Sequence, residues 1–269
     1  MKLELFKGRR SLLPGKDDVK NYVEVSSTKE DFNHRAVEII LLHAERALRA
    51  AGRFRLCLAG GNTPRLVYDL FAQQLKTEYA QGRLAGTICF YWGDERCVSP
   101  QDPNSNFLMA QQTLFHQIPS SRYTYYRLEG ELNPAIAAER YETLLRRHFP
   151  DDREPTFDLV LLGLGEDGHT ASLFPGSAAL AETQHWVVGY FVQSLSSWRL
   201  TLTPPLFNRA KAVLFLVTGS NKAATLAKVL AGSPKPHQYP AQSIHPGQGE
   251  LFWLADQPAA ALLPPALNG

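Results

Sequence analysis

Short apolar runs alternate along the chain with segments whose apolar positions recur at helical spacing. Runs of four to eight apolar residues are typical of strands buried on both faces of a parallel sheet. The predicted strands cover 22–25 at an edge, 54–59, 87–92, 157–162, 186–192, 199–203, 211–217 and 251–254, the last closing the sheet. The predicted helices cover about 27–51, 64–75, 105–115, 134–148 and 220–230. This alternation predicts an α/β fold with a mostly parallel open sheet flanked by helices, doubly wound and Rossmann-like.

The ends of the elements carry local signals. Ser27 and Glu30 have the spacing of a capping box, and Gly52 ends the helical pattern that follows. No repeat or linker divides the chain, so we predict a single domain over 1–269. The segment 257–269, rich in proline and alanine, is predicted to be a loosely packed tail.

The predicted strand 157–162 leads into the glycine-rich loop 163–168 and then to His169. Glycines permit backbone conformations closed to other residues and let a ligand approach the main chain. This loop also carries Glu166 and Asp167. Ligands of open α/β sheets bind outside the carboxyl ends of the strands, so an acid and an imidazole here face the expected site. We predict that His169 is catalytic; the alternative is a histidine that only hydrogen-bonds its own loop.

A second loop, Gly60, Gly61, Asn62, Thr63 and Pro64, joins the predicted strand 54–59 to a helix. Free backbone N–H groups at the positive end of a helix bind anions, most often phosphate. The alternative is a plain capped connection with Thr63 as the N-cap. The loop matches neither the P-loop nor the GxGxxG pattern, so nucleotide binding is not supported.

Two further strand ends carry charge. The strand 87–92 ends in the charged segment 93–96, which includes Asp94 and Arg96. After the strand 211–217, the sequence Thr-Gly-Ser-Asn-Lys opens a helix with Lys222 in its first turn. A lysine there opposes the helix dipole unless an anion is present, so Lys222 is a candidate phosphate ligand, with a solvated surface lysine as the alternative.

Composition narrows the function classes. Hydrophobic residues make up 44% and charged residues 20% of the chain, which favours a globular protein over a disordered one. The formal net charge of +2, without a basic run interleaved with aromatics, does not favour nucleic-acid binding. The three cysteines lack metal-ligand spacing, and neither a signal-peptide apolar segment nor a membrane-spanning run is found. We expect a soluble cytoplasmic protein, and because nothing demands an assembly we predict a monomer.

Five segments together resemble the 6-phosphogluconolactonase family. They are GGNTP at 60–64, WGDERCV at 92–98 with DPNSNF at 102–107, GLGEDGHTASLFPG at 163–176, RLTLTPPLFNRA at 199–210 and TGSNKA at 218–223. One departure is Asn62, where serine is commoner in the family. The resemblance implies a fold related to glucosamine-6-phosphate deaminase and hydrolysis of 6-phospho-D-glucono-1,5-lactone to 6-phosphogluconate in the oxidative pentose phosphate pathway. It implies no required metal or organic cofactor.

The resemblance also implies roles for individual residues. His169 takes the position of the family's catalytic histidine, which accepts a proton from water and returns it to the ring oxygen, and Asp167 orients the loop or the imidazole. Asp94 holds sugar hydroxyls or pins Arg96. The substrate-binding positions, some of which hold the 6-phosphate, are Gly60, Gly61, Asn62, Thr63, Arg96, Arg199 and Lys222.

Two rival functions are weighed against the lactonase. Glucosamine-6-phosphate deaminase resembles this chain in its phosphate loop but has a glutamate five residues after the histidine, where this chain has Phe174. A sugar-phosphate sensor without catalysis needs a DNA-reading module, for which the roughly 25 residues before the first predicted helix are too few. A sensor also has no use for His169.

Overall fold

The computed structural model describes residues 11–12, 20–151 and 156–267, and the predicted absence of a signal segment at 1–10 lies outside them. The described strands, in chain order, are β1 (Ser11–Leu12), β2 (Lys20–Ser26), β3 (Arg53–Leu58), β4 (Thr87–Trp92), β5 (Asp94–Arg96), β6 (Tyr123–Tyr126), β7 (Leu159–Gly163), β8 (Val187–Val192), β9 (Ser197–Leu202), β10 (Ala212–Val217) and β11 (Glu250–Asp256). The described α-helices are α1 (Lys29–Ala51), α2 (Asn62–Ala80), α3 (Asn106–Thr113), α4 (Pro134–His148), α5 (Pro204–Phe207), α6 (Ala223–Ala231) and α7 (Gln257–Ala260).

The main sheet has the strand order β1-β2-β11-β10-β7-β3-β4-β6. All of its neighbouring strands run parallel except β1 and β2. The α/β prediction is therefore confirmed. From β3 the chain moves outward through β4 to β6, then returns to β7 and moves in the opposite direction through β10. The order thus reverses between β3 and β7, where ligands of doubly wound sheets bind.

The central strands are apolar because both faces of the sheet are covered. Every residue of β10 is buried, as are the first four of β7. Among the helices, α1 buries a stripe that includes Phe32, Ile40 and Leu48 at helical spacing. Burial of each such side chain contributes about 1.5–3 kcal/mol. The outcome is a sheet buried on both faces, whose carboxyl edge presents four neighbouring loops, after β10, β7, β3 and β4.

A second, smaller sheet was not predicted. β5, β9 and β8 form a three-stranded antiparallel sheet separate from the main one. Both β8 and β9 were expected as strands, but a strand pattern does not specify its partner. The three residues of β5 are all charged, so they give no apolar signal.

Two local predictions need correction. The N-cap of α1 is Thr28, whose side chain accepts a hydrogen bond from Asp31 N, rather than Ser27. β11 lies inside the sheet, between β2 and β10, rather than closing it.

The C-terminal segment packs more closely than predicted. α7 begins at the Asp256 cap, and Ala259, Ala260, Leu263 and Leu267 are buried. A composition rich in alanine and proline therefore does not imply loose packing, because small side chains let this segment approach the sheet. Among the described helices, none has the length and apolar character needed to span a bilayer.

His43 makes the fold sensitive to acid. This α1 side chain is 7% exposed, and its Nε2 has no hydrogen-bond partner in the described chain. Burial, with a smaller effect of Arg46, lowers the pKa of the imidazole from 6.5 to about 4. In the unfolded chain, His43 binds a proton below about pH 6.5, whereas in the folded chain it binds one only below about pH 4. Between these pH values the unfolded state binds more protons than the folded state, so stability is lost as the pH falls from about 6.5 to about 4.

We expect His43→Leu to remove this acid sensitivity. Between pH 7 and pH 4, the free energy of unfolding of the variant should fall by about 3 kcal/mol less than that of the parent protein. Urea unfolding at both pH values measures this. An equal loss of stability in both proteins would show that His43 is not the group responsible.

Candidate active site

Two adjoining cavities open at the carboxyl edge of the main sheet. The inner cavity, about 430 Å³, is lined by the ends of β3, β4, β7 and β10 and by the loop 60–63. The outer cavity, about 540 Å³, reaches from the His169 loop to the β8–β9 hairpin. Asp94, Arg96, His169 and Lys222 line both. The cavities therefore form one continuous site, of a size ordinary for a small ligand.

The floor of the inner cavity is the N-terminus of α2. Gly61 is the N-cap, with a φ of 98° that favours glycine, and no side chain caps the helix. Thr63 is not the cap; its Oγ1 lies 2.8 Å from Thr218 Oγ1 and joins the loops after β3 and β10. The first turn of α2 contains no acidic residue. The backbone N–H groups of this turn, which no side chain caps, and the positive end of the helix dipole suit an anion.

The loop after β7 holds His169 against Asp167. The imidazole Nδ1 lies 2.6 Å from Asp167 Oδ1, and the backbone N–H of His169 donates to the same oxygen at 3.0 Å. With Nδ1 as the donor, Nε2 is unprotonated and available to a ligand. Burial raises the pKa of Asp167, but the hydrogen bonds from His169 outweigh it and hold that pKa below its usual value. Asp167 is therefore a carboxylate that orients the imidazole.

Asp94 is the buried carboxylate of the site. It is 7% exposed, and its Oδ2 accepts a 2.7 Å hydrogen bond from Ser172 Oγ. Asn106 Nδ2 donates to its backbone oxygen at 2.9 Å and lies 3.3 Å from Oδ1. Asp94 does not pin Arg96, which instead donates from Nη1 to Asn104 O at 2.6 Å. Of the two roles proposed for Asp94, the pinning of Arg96 is therefore wrong.

Arg96 and Arg199 are direct cross-strand neighbours in β5 and β9. Like charges at such positions repel, and within the described residues neither guanidinium has a carboxylate within ion-pair distance. Burial lowers the pKa of Arg199, and the charge of Arg96 lowers it further. Guanidinium groups nevertheless stay charged at neutral pH. A bound anion would relieve the repulsion between them.

Lys222 completes the cationic side. It precedes α6 at the N-cap position, rather than lying in the first turn, and its Nζ is 4.0 Å from Glu166 Oε1. Glu166 also accepts a 2.6 Å hydrogen bond from Asn221 Nδ2. Because the Glu166 side chain is 65% exposed, this ion pair is weak and leaves Lys222 available to a ligand.

The structure brings every predicted site residue to one or both cavities. The inner cavity contains Gly60, Gly61, Asn62, Thr63, Asp94, Arg96, His169 and Lys222. The outer cavity contains Asp94, Arg96, Asp167, His169, Arg199 and Lys222. Arg199 is thus the one predicted cation that lines the outer cavity without lining the inner one.

Sequence reasoning missed the residues that support the site. Glu95, 3% exposed, accepts from the backbone N–H groups of Arg96, Asn106 and Phe107 and so fixes the start of α3. Asn106 packs so closely on Gly60 that a Cβ added at residue 60 would lie 2.1 Å from Asn106 Oδ1. The sequence signals such residues only weakly, because Glu95 and Asn106 each contact residues of other elements.

Gly165 sets the position of the imidazole. A Cβ at this residue would lie 2.1 Å from His169 Nδ1 and 2.7 Å from Asp167 Oδ1. With His169 as the catalytic group predicted from the sequence, we expect Gly165→Ala to lower kcat by up to about a hundredfold, since a displacement of an ångström misaligns the imidazole. The matched control is Gly247→Ala, where an added Cβ meets nothing within 4 Å. Unchanged kcat in the Gly165 variant would mean that this close approach does not position the imidazole.

Comparison with known proteins gives a consistent result. The profile of the family described as glucosamine-6-phosphate isomerases/6-phosphogluconolactonase matches residues 27–253. A 6-phosphogluconolactonase of Nostoc sp. is 37% identical over 249 residues, covering 91% of this chain and 99% of the relative. A 6-phosphogluconolactonase of Homo sapiens is 32% identical over 246 residues, covering 90% and 93%.

Solved structures agree. The 6-phosphogluconolactonase of Trypanosoma brucei is 27% identical with a TM-score of 0.77, over 92% of this chain and 100% of that one. A monomeric glucosamine-6-phosphate deaminase has a TM-score of 0.70 at 24% identity, over 89% and 99%. The second likeness shows a common fold and nothing more about chemistry.

Proposed function

The chain belongs to the glucosamine-6-phosphate isomerase/6-phosphogluconolactonase family, and we propose that His169 is the base with which it hydrolyses 6-phospho-D-glucono-1,5-lactone. The enzyme is a lactone hydrolase, and its product is 6-phospho-D-gluconate. The observation that carries the assignment of His169 is its shared cavity with the α2 N-terminus and Lys222. An imidazole oriented by a carboxylate thereby lies beside an anion site.

The phosphate end of the substrate binds at the loop 60–63 and Lys222. The backbone N–H groups at the start of α2 donate to the phosphate oxygens, and Lys222 supplies charge from the neighbouring loop. Arg96 and Arg199 add two further cations, whose mutual repulsion the dianion reduces. Several such partners are needed, because one charge-assisted hydrogen bond contributes only about 1.5–3 kcal/mol. Asp94 accepts hydrogen bonds from sugar hydroxyls.

The reaction has two proton transfers. His169 Nε2 removes a proton from water as the water oxygen attacks the lactone carbonyl carbon. The tetrahedral intermediate then collapses, the bond between that carbon and the ring oxygen breaks, and the imidazolium returns the proton to the ring oxygen. The product is a carboxylic acid, which ionises, and a free hydroxyl. One imidazole suits both steps because it accepts and donates protons near neutral pH.

Asp167 stabilises the imidazolium that forms between the two transfers. Its hydrogen bond fixes the tautomer that leaves Nε2 free, and its negative charge offsets the new positive charge. The Asp167 carboxylate itself stays ionised, consistent with its lowered pKa.

Purified protein supplied with three reagents tests the function. Freshly prepared lactone should release acid faster than its spontaneous opening, in proportion to protein concentration. Glucosamine 6-phosphate should yield no ammonia, since Phe174 occupies the position where the deaminase has a carboxylate. Ammonia release would support the deaminase, and binding of 6-phosphogluconate without turnover of the lactone would support a sensor. A cytoplasmic location, a monomeric state and independence from metals or organic cofactors stay predictions.

A further inference from the structure

Phe174 lies directly against the catalytic imidazole. The two ring centroids are 4.4 Å apart and the ring planes are inclined by 32°. Phe174 is partly buried and lines the outer cavity together with His169. It carries no group that can transfer a proton, so any effect on catalysis must act through the imidazole.

A hydrogen bond to Asp167 does not by itself fix the plane of the His169 ring. The χ2 torsion of histidine is broad, so the ring can turn about its Cβ–Cγ bond, and a contact at a single ring atom resists this rotation only weakly. Gly165 limits this movement where its backbone approaches Nδ1, at a distance that leaves no room for a Cβ. Phe174 covers a face of the imidazole and so limits rotation that neither Asp167 nor Gly165 prevents.

Phe174 is itself held by a well-bonded segment. Its carbonyl accepts from Ser177 N at 3.1 Å, and the preceding residue, Leu173, is fully buried. Tyr190 of β8 donates to Ser172 O at 2.6 Å, which ties this segment to the second sheet. A side chain on such a segment can restrict a neighbour because its own backbone does not move with it.

We propose that Phe174 is a positioning residue that holds the His169 ring in the orientation in which Nδ1 bonds Asp167 and Nε2 faces the substrate. The inference rests on the proposed function only in taking His169 as the base. It assigns no substrate contact to Phe174. Its role is to keep the reacting nitrogen aligned, which raises the rate of the chemical step without strengthening binding of the phosphate.

Paired substitutions test this role. Phe174→Leu keeps an apolar side chain but removes the aromatic face, and we expect kcat to fall about tenfold while KM changes less than about threefold. Phe174→Tyr keeps the aromatic ring and should keep kcat near that of the parent protein. Phe174→Met is a second ring-free variant that gives the same comparison if the leucine variant does not fold. A ring-free variant that folds and keeps the parent kcat, or changes only KM, would overturn the proposal.

A spectroscopic measurement separates this inference from the proposed function. With 15N-labelled histidine, the His169 shifts of the parent protein and of Phe174→Tyr should report one neutral tautomer, protonated at Nδ1. In Phe174→Leu the His169 ring can turn away from Asp167 and lose the hydrogen bond that fixes the tautomer, so the shifts should report a mixture of the two neutral tautomers. The same single tautomer in all three proteins would refute the positioning role whether or not the lactone is hydrolysed, whereas a lack of hydrolysis by the parent protein would refute the function and leave this comparison intact.

Discussion

His169→Ala is expected to slow lactone turnover by about a hundredfold or more, the usual contribution of a positioned acid–base group. The fold should survive, because the side chain lies in a cavity and packs only partly against its neighbours. Binding of inorganic phosphate should be nearly unchanged, since the imidazole acts at the other end of the substrate. Initial rates corrected for spontaneous opening, with calorimetry of phosphate binding, measure both effects.

The control is His34→Ala, which removes a half-exposed histidine of α1 outside both cavities. This variant should keep the parent rate. If His169→Ala also kept it, the imidazole would not be the base. If His169→Ala instead lost phosphate binding along with turnover, His169 would belong to the anion site.

Lys222→Ala is expected to weaken binding of 6-phosphogluconate and to raise KM by roughly 10- to 100-fold, the loss of one charge-assisted contact. The effect on kcat should be smaller, because the lysine interacts with a phosphate that does not change during the reaction. The Lys222–Glu166 pair adds little to stability, so the variant should unfold near the parent temperature. Titration calorimetry and steady-state kinetics give these quantities.

The matched control is Lys76→Ala on the exposed surface of α2, which makes the same change in net charge. Raised salt should weaken phosphate binding by the parent protein, since exposed charges are screened. Equal affinity in Lys222→Ala and the parent would move Lys222 to the solvated surface. Equal weakening in both lysine variants would mean that overall charge, rather than a contact, sets the affinity.

Much of the main sheet follows from local pattern. The run 157–162 predicts β7 because a strand covered on both faces must be apolar throughout, and 134–148 predicts α4 to the residue. The strand order does not follow, because β11 pairs with β2 and β10 far away in sequence. The second sheet was likewise hidden, since only pairing with β9 makes the charged segment Asp94–Arg96 a strand.

The candidate site divides in the same way. Its loops follow strand ends, so Gly61, His169 and Lys222 were predicted to meet from chain order and the rule for open sheets. The hydrogen bond between Asp167 and His169 joins residues two positions apart, so it too could be predicted from the sequence. The contact of Phe174 with the imidazole, and the use of Glu95 to hold α3, depend on how loops fold back in space, which spacing alone does not encode.

A structure of the protein with 6-phosphogluconate bound is the most direct test of the central claim, that a cationic phosphate site and an oriented imidazole act on opposite ends of one substrate. We expect the phosphate at the N-terminus of α2 beside Lys222, with the C1 carboxylate within hydrogen-bond distance of His169 Nε2. A phosphate bound at His169, with the carboxylate at the loop 60–63, would contradict it.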